Sequence, residues 1–320
     1  LMAVLGLSTS LLDLRERLGR IVVGYDRHGE PVTAEDIHGA GAMAVLLKDA
    51  LNPTVLQTLE GTPALIHTGP FANIAHGNSS IVSDQVGIRG GDYLITEAGF
   101  GSDVGAEKFF NLKCRASGLA PDAAVIVATV RALKLNSGKY QVRAGKPLPD
   151  EMVAENPEDV MAGAANLRRH IANVRQHGVT PVVAINAFPT DHGSEHSAIG
   201  AIAEEEGATW AIADPFARGA AGMVDLAEAV AAATEDGSTF TPLYPSEMSL
   251  HEKIERIATE VYGADGVEYD IKARRQLESY ESHGYGELPI CMAKTQYSFS
   301  HDPSKLGAPS GWTLPVREVQ

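Results

Sequence analysis

The sequence predicts an α/β fold with a mostly parallel sheet and helices on both of its faces. From about residue 63 to residue 214, short apolar runs alternate with longer amphipathic segments, which is the pattern of β-strands connected by helices. Hydrophobic residues make up 44% of the 320-residue chain, so it can bury a large core. The pattern changes after residue 237, where a smaller α+β subdomain is predicted.

The first 62 residues predict a mainly helical segment. Helices are expected over residues 8–18 and 34–51, with a short hairpin around residues 22–32 between them. Both ends of the chain look like cuts through structure, because the chain starts on an apolar run without Met and stops inside a strand-like run. We therefore expect a fragment, in which this segment continues a missing N-terminal part and the C-terminal subdomain is truncated.

Residues 63–237 predict the core that contains the sheet. The candidate strands are residues 64–67, 93–96, 124–129, 181–186 and 209–213. Asn156 and Pro157 are a typical N-cap and first-turn pair, and apolar residues then repeat at helical spacing until Gly178. One long helix is expected there.

Residues 238–320 predict the C-terminal subdomain. Ser249 and Glu252 have the spacing of a capping box, which opens a helix that runs through Tyr262 and is followed by a second helix. Strands are expected near residues 288–292 and 313–319.

Composition excludes several classes of protein. A formal charge of −15 would repel a nucleic-acid backbone or an anionic bilayer over most of the surface, so neither is expected as a partner. Two cysteines are too few for a disulfide framework, and no stretch approaches the roughly 20 apolar residues of a membrane helix. A cytoplasmic protein is predicted.

Two cations follow the third candidate strand. The run from Val127 begins with β-branched and small residues and ends in Arg131 and Lys134, so we expect it to carry both cations to the carboxyl end of the sheet. Open α/β sheets bind ligands at that edge, which predicts an anion site. The alternative is that both are solvated surface charges.

Two loops after the first strands have the composition of binding loops. Residues 69–77 begin with Gly69 and contain Asn73 and His76, so their amides and side chains could hold a small anion. Residues 97–101 contain Gly99 and Gly101 after Glu97, a carboxylate that could orient water or a magnesium ion. The alternatives are an ordinary loop with a satisfied histidine and, for nearby Asp103 and Glu107, charges at a helix N-terminus.

The fourth strand ends in residues suited to a flat heterocycle. Asn186 can form paired hydrogen bonds with a purine edge, and Phe188 offers a face for stacking. Core packing is the alternative for this phenylalanine and for Phe216, which follows the fifth candidate strand.

Five segments are distinctive as motifs: HTGPFANIAHG (67–77), TEAGFG (96–101), VATVRALK (127–134), VVAINAFPTD (182–191) and MAKTQYSFS (292–300). They resemble, in the same order, segments of the formate–tetrahydrofolate ligase family, also called formyltetrahydrofolate synthetases. The resemblance implies a sheet of P-loop NTPase-like type and a ligase that joins formate to tetrahydrofolate at the expense of ATP. One departure is Ser137, where the family usually has the first of two glycines.

The resemblance also assigns roles to residues. It implies that the loop 69–77 lines a formyl-phosphate site and that Phe188 is one half of an aromatic sandwich around the pteridine ring. The other half is usually a tryptophan, which Phe216 replaces here in FARGA (216–220). Cations must neutralise phosphate charge in such chemistry, and Arg131, Lys134 and His76 are the groups expected to act with Glu97.

The resemblance further implies ATP with Mg²⁺, tetrahydrofolate and formate as small-molecule substrates, a monovalent cation, and a homotetramer for the full-length protein. The chain has no phosphate-binding Gly-x-x-x-x-Gly-Lys-Ser/Thr loop, which the family carries near its amino terminus, so the chain alone is expected to be inactive. Two alternatives stay open. One is an inactive remnant that binds folate, and the other is a P-loop-like carbon–nitrogen ligase resembling dethiobiotin synthetase.

Overall fold

The structure is a computed structural model that describes residues 1–143, 145–235 and 237–320. Its strands are β1 (Val22–Tyr25), β2 (Pro31–Thr33), β3 (Thr54–Gln57), β4 (Pro63–Ile66), β5 (Ala123–Ala128), β6 (Thr180–Asn186), β7 (Thr209–Ala213), β8 (Gly266–Tyr269) and β9 (Thr313–Val316). Its α-helices are α1 (Met2–Leu7), α2 (Leu11–Gly19), α3 (Ala40–Leu47), α4 (Ile81–Gly90), α5 (Arg115–Ser117), α6 (Val130–Asn136), α7 (Asp150–Val153), α8 (Pro157–Ala162), α9 (Ala164–Arg175), α10 (Gly193–Glu205), α11 (Pro215–Arg218), α12 (Val224–Glu235), α13 (Leu250–Arg256) and α14 (Ile271–Ser282). Short π-helical segments cover Ser102–Ala106, Phe109–Cys114 and Ile257–Val261, and 3-10 turns cover Asp49–Leu51 and Gly219–Gly222.

A three-stranded parallel sheet in the order β5-β6-β7 lies at the centre of the fold. The three strands match the predicted segments 124–129, 181–186 and 209–213, so this part of the prediction is confirmed. Ala128 pairs with Ile185 and Asn186 pairs with Ala213, which aligns the carboxyl ends of neighbouring strands. Side chains that follow these residues therefore emerge along one edge of the sheet.

Helices cover both faces of this sheet, as predicted. Because successive side chains of a strand point to opposite faces, Val183 and Ile185 pack with apolar residues of α9 and α10. Val182 and Ala184 pack on the other face, against Leu226 of α12. This two-sided burial explains why β6 reads as a continuous apolar run.

Two other predicted strands, which precede β5 in the chain, are not part of the parallel sheet. Residues 64–67 do form a strand, but β4 pairs antiparallel with β3 in a hairpin and not with the parallel sheet. Residues 93–96 are not a strand, and Ile95 is 87% exposed there. β-branched residues favour extended backbone, but a strand also needs a partner to accept its hydrogen bonds, and this segment pairs with no described strand.

The predicted long helix after Asn156 is two helices. Asn156 caps α8 through a hydrogen bond from the backbone N–H of Asp159 (3.1 Å). The helix is interrupted at Gly163, where a Cβ atom would lie 1.8 Å from the carbonyl oxygen of Leu133 in α6. The glycine thus permits a close backbone approach that positions α6 against α8 and α9.

The N-terminal predictions are confirmed in outline. The hairpin β1–β2 is present, and α2 begins at Leu11 because the Ser10 hydroxyl accepts the Asp13 N–H (3.1 Å). The helix expected over residues 34–51 is shorter, since only α3 and one 3-10 turn form. The helix α1 was not predicted.

The C-terminal region packs around its own apolar cluster, which includes Leu250, Tyr262 and Trp312. Ser249 and Glu252 form the predicted capping box. The strand expected near residues 313–319 is β9, whose partner β8 was not predicted. Residues 288–292 are not a strand, because the backbone N–H of Ile290 is bound by the hydroxyl of Tyr244 (3.1 Å) instead of by a neighbouring strand.

No helix among the described residues has the length and apolar character needed to cross a membrane.

Candidate active site

The two cations that follow β5 lie on a helix. The strand ends at Ala128, and the hydroxyl of Thr129 accepts the backbone N–H of Ala132 (3.1 Å), which caps α6. Arg131 and Lys134 therefore occupy the first and second turns of α6 and are separated by one helical turn. The expectation that the strand itself carries them outward is wrong, because a capping threonine after the strand starts a helix at once.

Lys134 is buried, with 1% of its side chain exposed. Its ammonium group is in contact with the Glu195 carboxylate and donates to the carbonyl oxygens of Met152 (3.0 Å) and Ala154 (2.7 Å). An ammonium group has three hydrogens, and these three partners use all of them. Lys134 is therefore committed to protein groups and is not free to contact a ligand phosphate in this arrangement.

The Glu195 carboxylate accepts two backbone hydrogen bonds besides its contact with Lys134. Its carboxylate receives the backbone N–H groups of Asn156 (2.9 Å) and His192 (3.0 Å) in addition to Lys134. Burial by itself would raise the pKa of Glu195, but these hydrogen bonds outweigh burial and lower it. The pair joins α6, the segment before α8 and the start of α10 into one charged and fully bonded unit.

Phe188 and Arg131 stack on each other beyond the carboxyl end of β6. The guanidinium carbon of Arg131 lies 3.5 Å from the centroid of the Phe188 ring. The loop that carries this ring is closed by Asp191, whose carboxylate accepts the backbone N–H of Phe188 (2.9 Å). Arg131 Nε is buried without a hydrogen-bond partner among the described residues. The predicted cation and the predicted stacking residue thus form a single unit.

Phe216 lies near the same edge of the sheet, after β7. Asn186 at the end of β6 pairs with Ala213 at the end of β7, so Phe188 and Phe216 follow this pair by two and three residues. Asp214 caps α11 by accepting the Ala217 N–H (3.3 Å), which presents Phe216 on a single helical turn. Its side chain is 91% exposed, so the core-packing alternative is wrong for Phe216.

The loop 69–77 encloses His76. Thr68 and Gly77 adopt left-handed backbone conformations (φ +48° and +68°), and a Cβ at position 77 would lie 2.4 Å from that of Ala72. His76 is 1% exposed, and neither ring nitrogen has a hydrogen-bond partner among the described residues. Burial, with a smaller contribution from the charge of Lys113, lowers the pKa of His76 from 6.5 to about 4. The ring is therefore neutral at pH 7, with one donor and one acceptor.

Glu97, Gly99 and Gly101 lie in a loop that is bonded to the first. The Gly99 N–H donates to the carbonyl of Gly77 (3.1 Å), and the Asn78 side chain donates to the carbonyl of Glu97 (3.1 Å). The Glu97 side chain is exposed. A Cβ at Gly101 would lie 2.8 Å from the His170 ring, so glycine permits close packing there. The two predicted loops therefore meet, although the Asn73 side chain forms no hydrogen bond among the described residues.

The helical segment after residue 101 contains buried charged side chains whose partners the sequence did not indicate. Lys108 donates to the carbonyl of Ala72, and Lys113 pairs with Asp84 (2.7 Å). Asp103 pairs with Lys294 (2.6 Å), so the MAKTQYSFS segment contacts the helical segment that follows TEAGFG. The available signal was the position of these lysines among apolar neighbours, because a lysine in a buried helix face needs a partner.

The predicted residues thus form two groups. Arg131, Lys134, Asn186, Phe188 and Phe216 share the carboxyl edge of β5, β6 and β7. The loop residues around His76 and Gly99 form the second group, and no hydrogen bond joins the two groups within the described part of the chain. In that same part, no group of three or more His, Cys, Asp or Glu side chains is placed to hold a metal ion.

Comparison with known proteins places these features in context. The family model described as formate–tetrahydrofolate ligase matches residues 1–320. The chain is 63% identical over 319 residues to the formate–tetrahydrofolate ligase of Saccharopolyspora erythraea, covering 100% of this chain and 56% of that protein.

Other relatives agree. Formate–tetrahydrofolate ligase 2 of Rubrobacter xylanophilus is 61% identical over 328 residues, with 100% of this chain and 57% of that protein covered. The ligase of Cutibacterium acnes is 58% identical over 317 residues, with 99% and 56% covered. The chain spans about half the length of these relatives.

Proposed function

The chain belongs to the formate–tetrahydrofolate ligase family, and we propose from this premise that the protein carrying it joins formate to tetrahydrofolate with ATP. The products are 10-formyltetrahydrofolate, ADP and phosphate. Formyl phosphate is the proposed intermediate.

The observation that carries this proposal is the placement of Phe188 and Phe216 beyond the carboxyl ends of adjacent parallel strands. Ligands of open α/β sheets bind at this edge. A phenylalanine that is 91% exposed adds little to the core, so stacking on a flat ligand gives the Phe216 ring a function. Phe188 supplies the second ring, and Asn186 supplies hydrogen bonds to the edge of a pterin.

The proposed reaction proceeds in two displacements. An oxygen of formate attacks the γ-phosphorus of ATP, which forms formyl phosphate and releases ADP. A folate nitrogen then attacks the formyl carbon, loses its proton and expels phosphate, which keeps the oxygen that came from formate. Both steps develop negative charge that positive groups and oriented donors stabilise.

The residues of this chain are proposed to divide this work. Arg131 supplies the fixed positive charge near the pterin, and the amides of the loop 69–77 supply donors for the acyl phosphate. His76, which is 1% exposed and neutral, is proposed to act by positioning that loop. Lys134 is proposed to act by holding Glu195 and the start of α10, because its ammonium hydrogens are already used. Glu97, which is exposed, is proposed to orient water or the magnesium complex of ATP.

Further parts of the proposal rest on the family and on composition. Mg²⁺ would arrive with ATP as part of the substrate and a monovalent cation would assist. The proposal assigns no direct protein ligand to either ion among the described residues. The P-loop NTPase-like order of a larger sheet, the division into residues 1–62, 63–237 and 238–320, a homotetramer and a cytoplasmic location all stay proposals.

An assay with ¹⁸O-labelled formate tests the reaction. The gene product that contains these 320 residues is incubated with ATP and tetrahydrofolate, and both 10-formyltetrahydrofolate and phosphate are analysed. We expect product formation that requires all three substrates, with one formate oxygen recovered in phosphate. Product without label transfer would exclude formyl phosphate. Tetrahydrofolate binding without turnover would support the alternative of a folate-binding module.

A further inference from the structure

The stack between Arg131 and Phe188 is close enough to fix the position of the ring. A separation of 3.5 Å between the guanidinium carbon and the ring centroid is that of two flat groups in van der Waals contact. Both side chains are half-buried, and the Nε atom is shielded from solvent, so the contact is partly desolvated. Cation–π contacts are stronger under such conditions than on an open surface.

Each member of the stack is attached to a rigid element. Arg131 lies in the first turn of α6, whose start is capped by Thr129 and whose second turn is anchored by Lys134. Phe188 lies directly after the central strand β6, and Asp191 bonds its backbone N–H. Because both backbones are held, the guanidinium limits the rotation of the Phe188 ring.

We infer that Arg131 is a positioning residue for tetrahydrofolate that acts through Phe188. The guanidinium covers one face of the ring and leaves the opposite face for the pteridine. This inference rests on the proposed function and adds a specific role to it. It also gives the arginine in VATVRALK a role that a lysine cannot fill, because an ammonium group is a compact point charge without a flat surface.

A purely electrostatic role for Arg131 makes a different prediction. If its charge only attracts an anion, Arg131→Lys should preserve binding, and the effect of Arg131→Ala should not depend on the residue at position 188. If the arginine acts through the ring, Arg131→Lys should resemble Arg131→Ala. Removing the ring should then abolish the effect of either variant.

A double-mutant cycle on the gene product that contains these 320 residues separates these roles. Tetrahydrofolate dissociation constants are measured by calorimetry for the parent chain, Arg131→Ala, Arg131→Lys, Phe188→Ala and the combinations of each Arg131 variant with Phe188→Ala. Arg275→Ala, at an exposed arginine of α14, is the matched control. Thermal unfolding of every variant identifies any that fail to fold.

We expect Arg131→Ala and Arg131→Lys each to raise the dissociation constant about fivefold in the parent background. In the Phe188→Ala background, both should change it less than about twofold. Equal effects in the two backgrounds, or full retention of binding by Arg131→Lys, would overturn the inference while leaving the proposed function intact. Failure of the well-folded parent gene product to bind tetrahydrofolate would overturn both.

Discussion

The ammonium group of Lys134 and the carboxylate of Glu195 form an ion pair in which each side chain is 1% exposed. The two residues are far apart in sequence and belong to α6 and α10, the helices that flank the loop bearing Phe188. Glu195 also holds the backbone N–H groups of Asn156 and His192. The pair therefore connects the elements on which the stacking residue depends.

We expect loss of either charge to destabilise the protein strongly. Lys134→Met leaves the Glu195 carboxylate buried without its cation, and breaking a buried pair in this way costs about 3–5 kcal/mol. Glu195→Met should have an effect of similar size. The double variant should lose less than the sum of the two, because neither charge is then left uncompensated. The free energy of unfolding from urea titrations measures all three.

The exposed pair Lys272–Glu318 offers a matched control, with side chains 62% and 41% exposed. Lys272→Met should change the free energy of unfolding by less than about 1 kcal/mol. An equally small effect of Lys134→Met would show that the buried pair does not hold the site together.

Glu107 gives the protein a component of stability that decreases as pH rises. Its side chain is fully buried, and burial raises its pKa from 4.5 to about 7, so the folded protein keeps the proton that the unfolded chain loses. This contribution is complete below pH 4.5 and is lost as pH rises through 7. Glu107→Gln cannot ionise at this position. As pH rises from 5 to 8, the free energy of unfolding of this variant should therefore increase relative to that of the parent by roughly 2–3 kcal/mol.

Denaturant titrations at both pH values measure this gain. Glu278→Gln, at an exposed position of α14, is the control and should show no comparable change. A difference between Glu107→Gln and the parent that stays constant from pH 5 to pH 8 would mean that Glu107 is ionised in the folded protein.

His76 gives the protein a component of stability that decreases as pH falls, which is opposite in sign to the contribution of Glu107. Its pKa is lowered from 6.5 to about 4, chiefly by burial, so the unfolded chain takes up a proton first as pH falls. The associated stability is complete above pH 6.5 and is lost as pH falls towards 4. Replacing the ring by glutamine should remove roughly 2–3 kcal/mol of this pH dependence.

Urea unfolding of His76→Gln between pH 4 and pH 7 tests this expectation, with the exposed His28→Gln as control. Burial also lowers the pKa of His170 and His177, so part of the slope should remain in the variant. A slope identical to that of the parent would show that His76 accepts a proton in the folded state.

The strands of the parallel sheet could be predicted from sequence because their signal is local. β5, β6 and β7 are short apolar runs bounded by polar residues, a pattern that is visible within each segment alone. The same reasoning failed for residues 93–96, since an extended segment becomes a strand only beside a partner. It failed again at Gly163, where the helix is interrupted by the approach of a carbonyl from another helix.

For the candidate site, too, the sequence predicted some features and not others. The identities of Arg131, Phe188 and Phe216 as candidates came from their positions after strands and from family motifs. The contacts within the site could not be predicted in this way. Lys134 pairs with Glu195 and Asp103 pairs with Lys294, and both pairs are formed only by tertiary folding. The sequence therefore identified candidate side chains and could not indicate which of them are free to bind a ligand.

Phe216 provides the most direct test of the proposed folate site. Because its side chain is 91% exposed, Phe216→Ala should change the free energy of unfolding by less than about 0.5 kcal/mol. Aromatic stacking is worth about 0.5–1.5 kcal/mol beyond the buried area, so the same variant should raise the tetrahydrofolate dissociation constant about 2- to 12-fold. Phe216→Trp, which restores the aromatic residue that the family usually has, should bind tetrahydrofolate at least as tightly as the parent chain.

Ile271→Ala, at another exposed apolar side chain, is the control for nonspecific effects. An unchanged dissociation constant for Phe216→Ala, or unfolding of that variant, would remove Phe216 from the site, because an exposed ring that stacks on folate must affect binding and leave the fold intact.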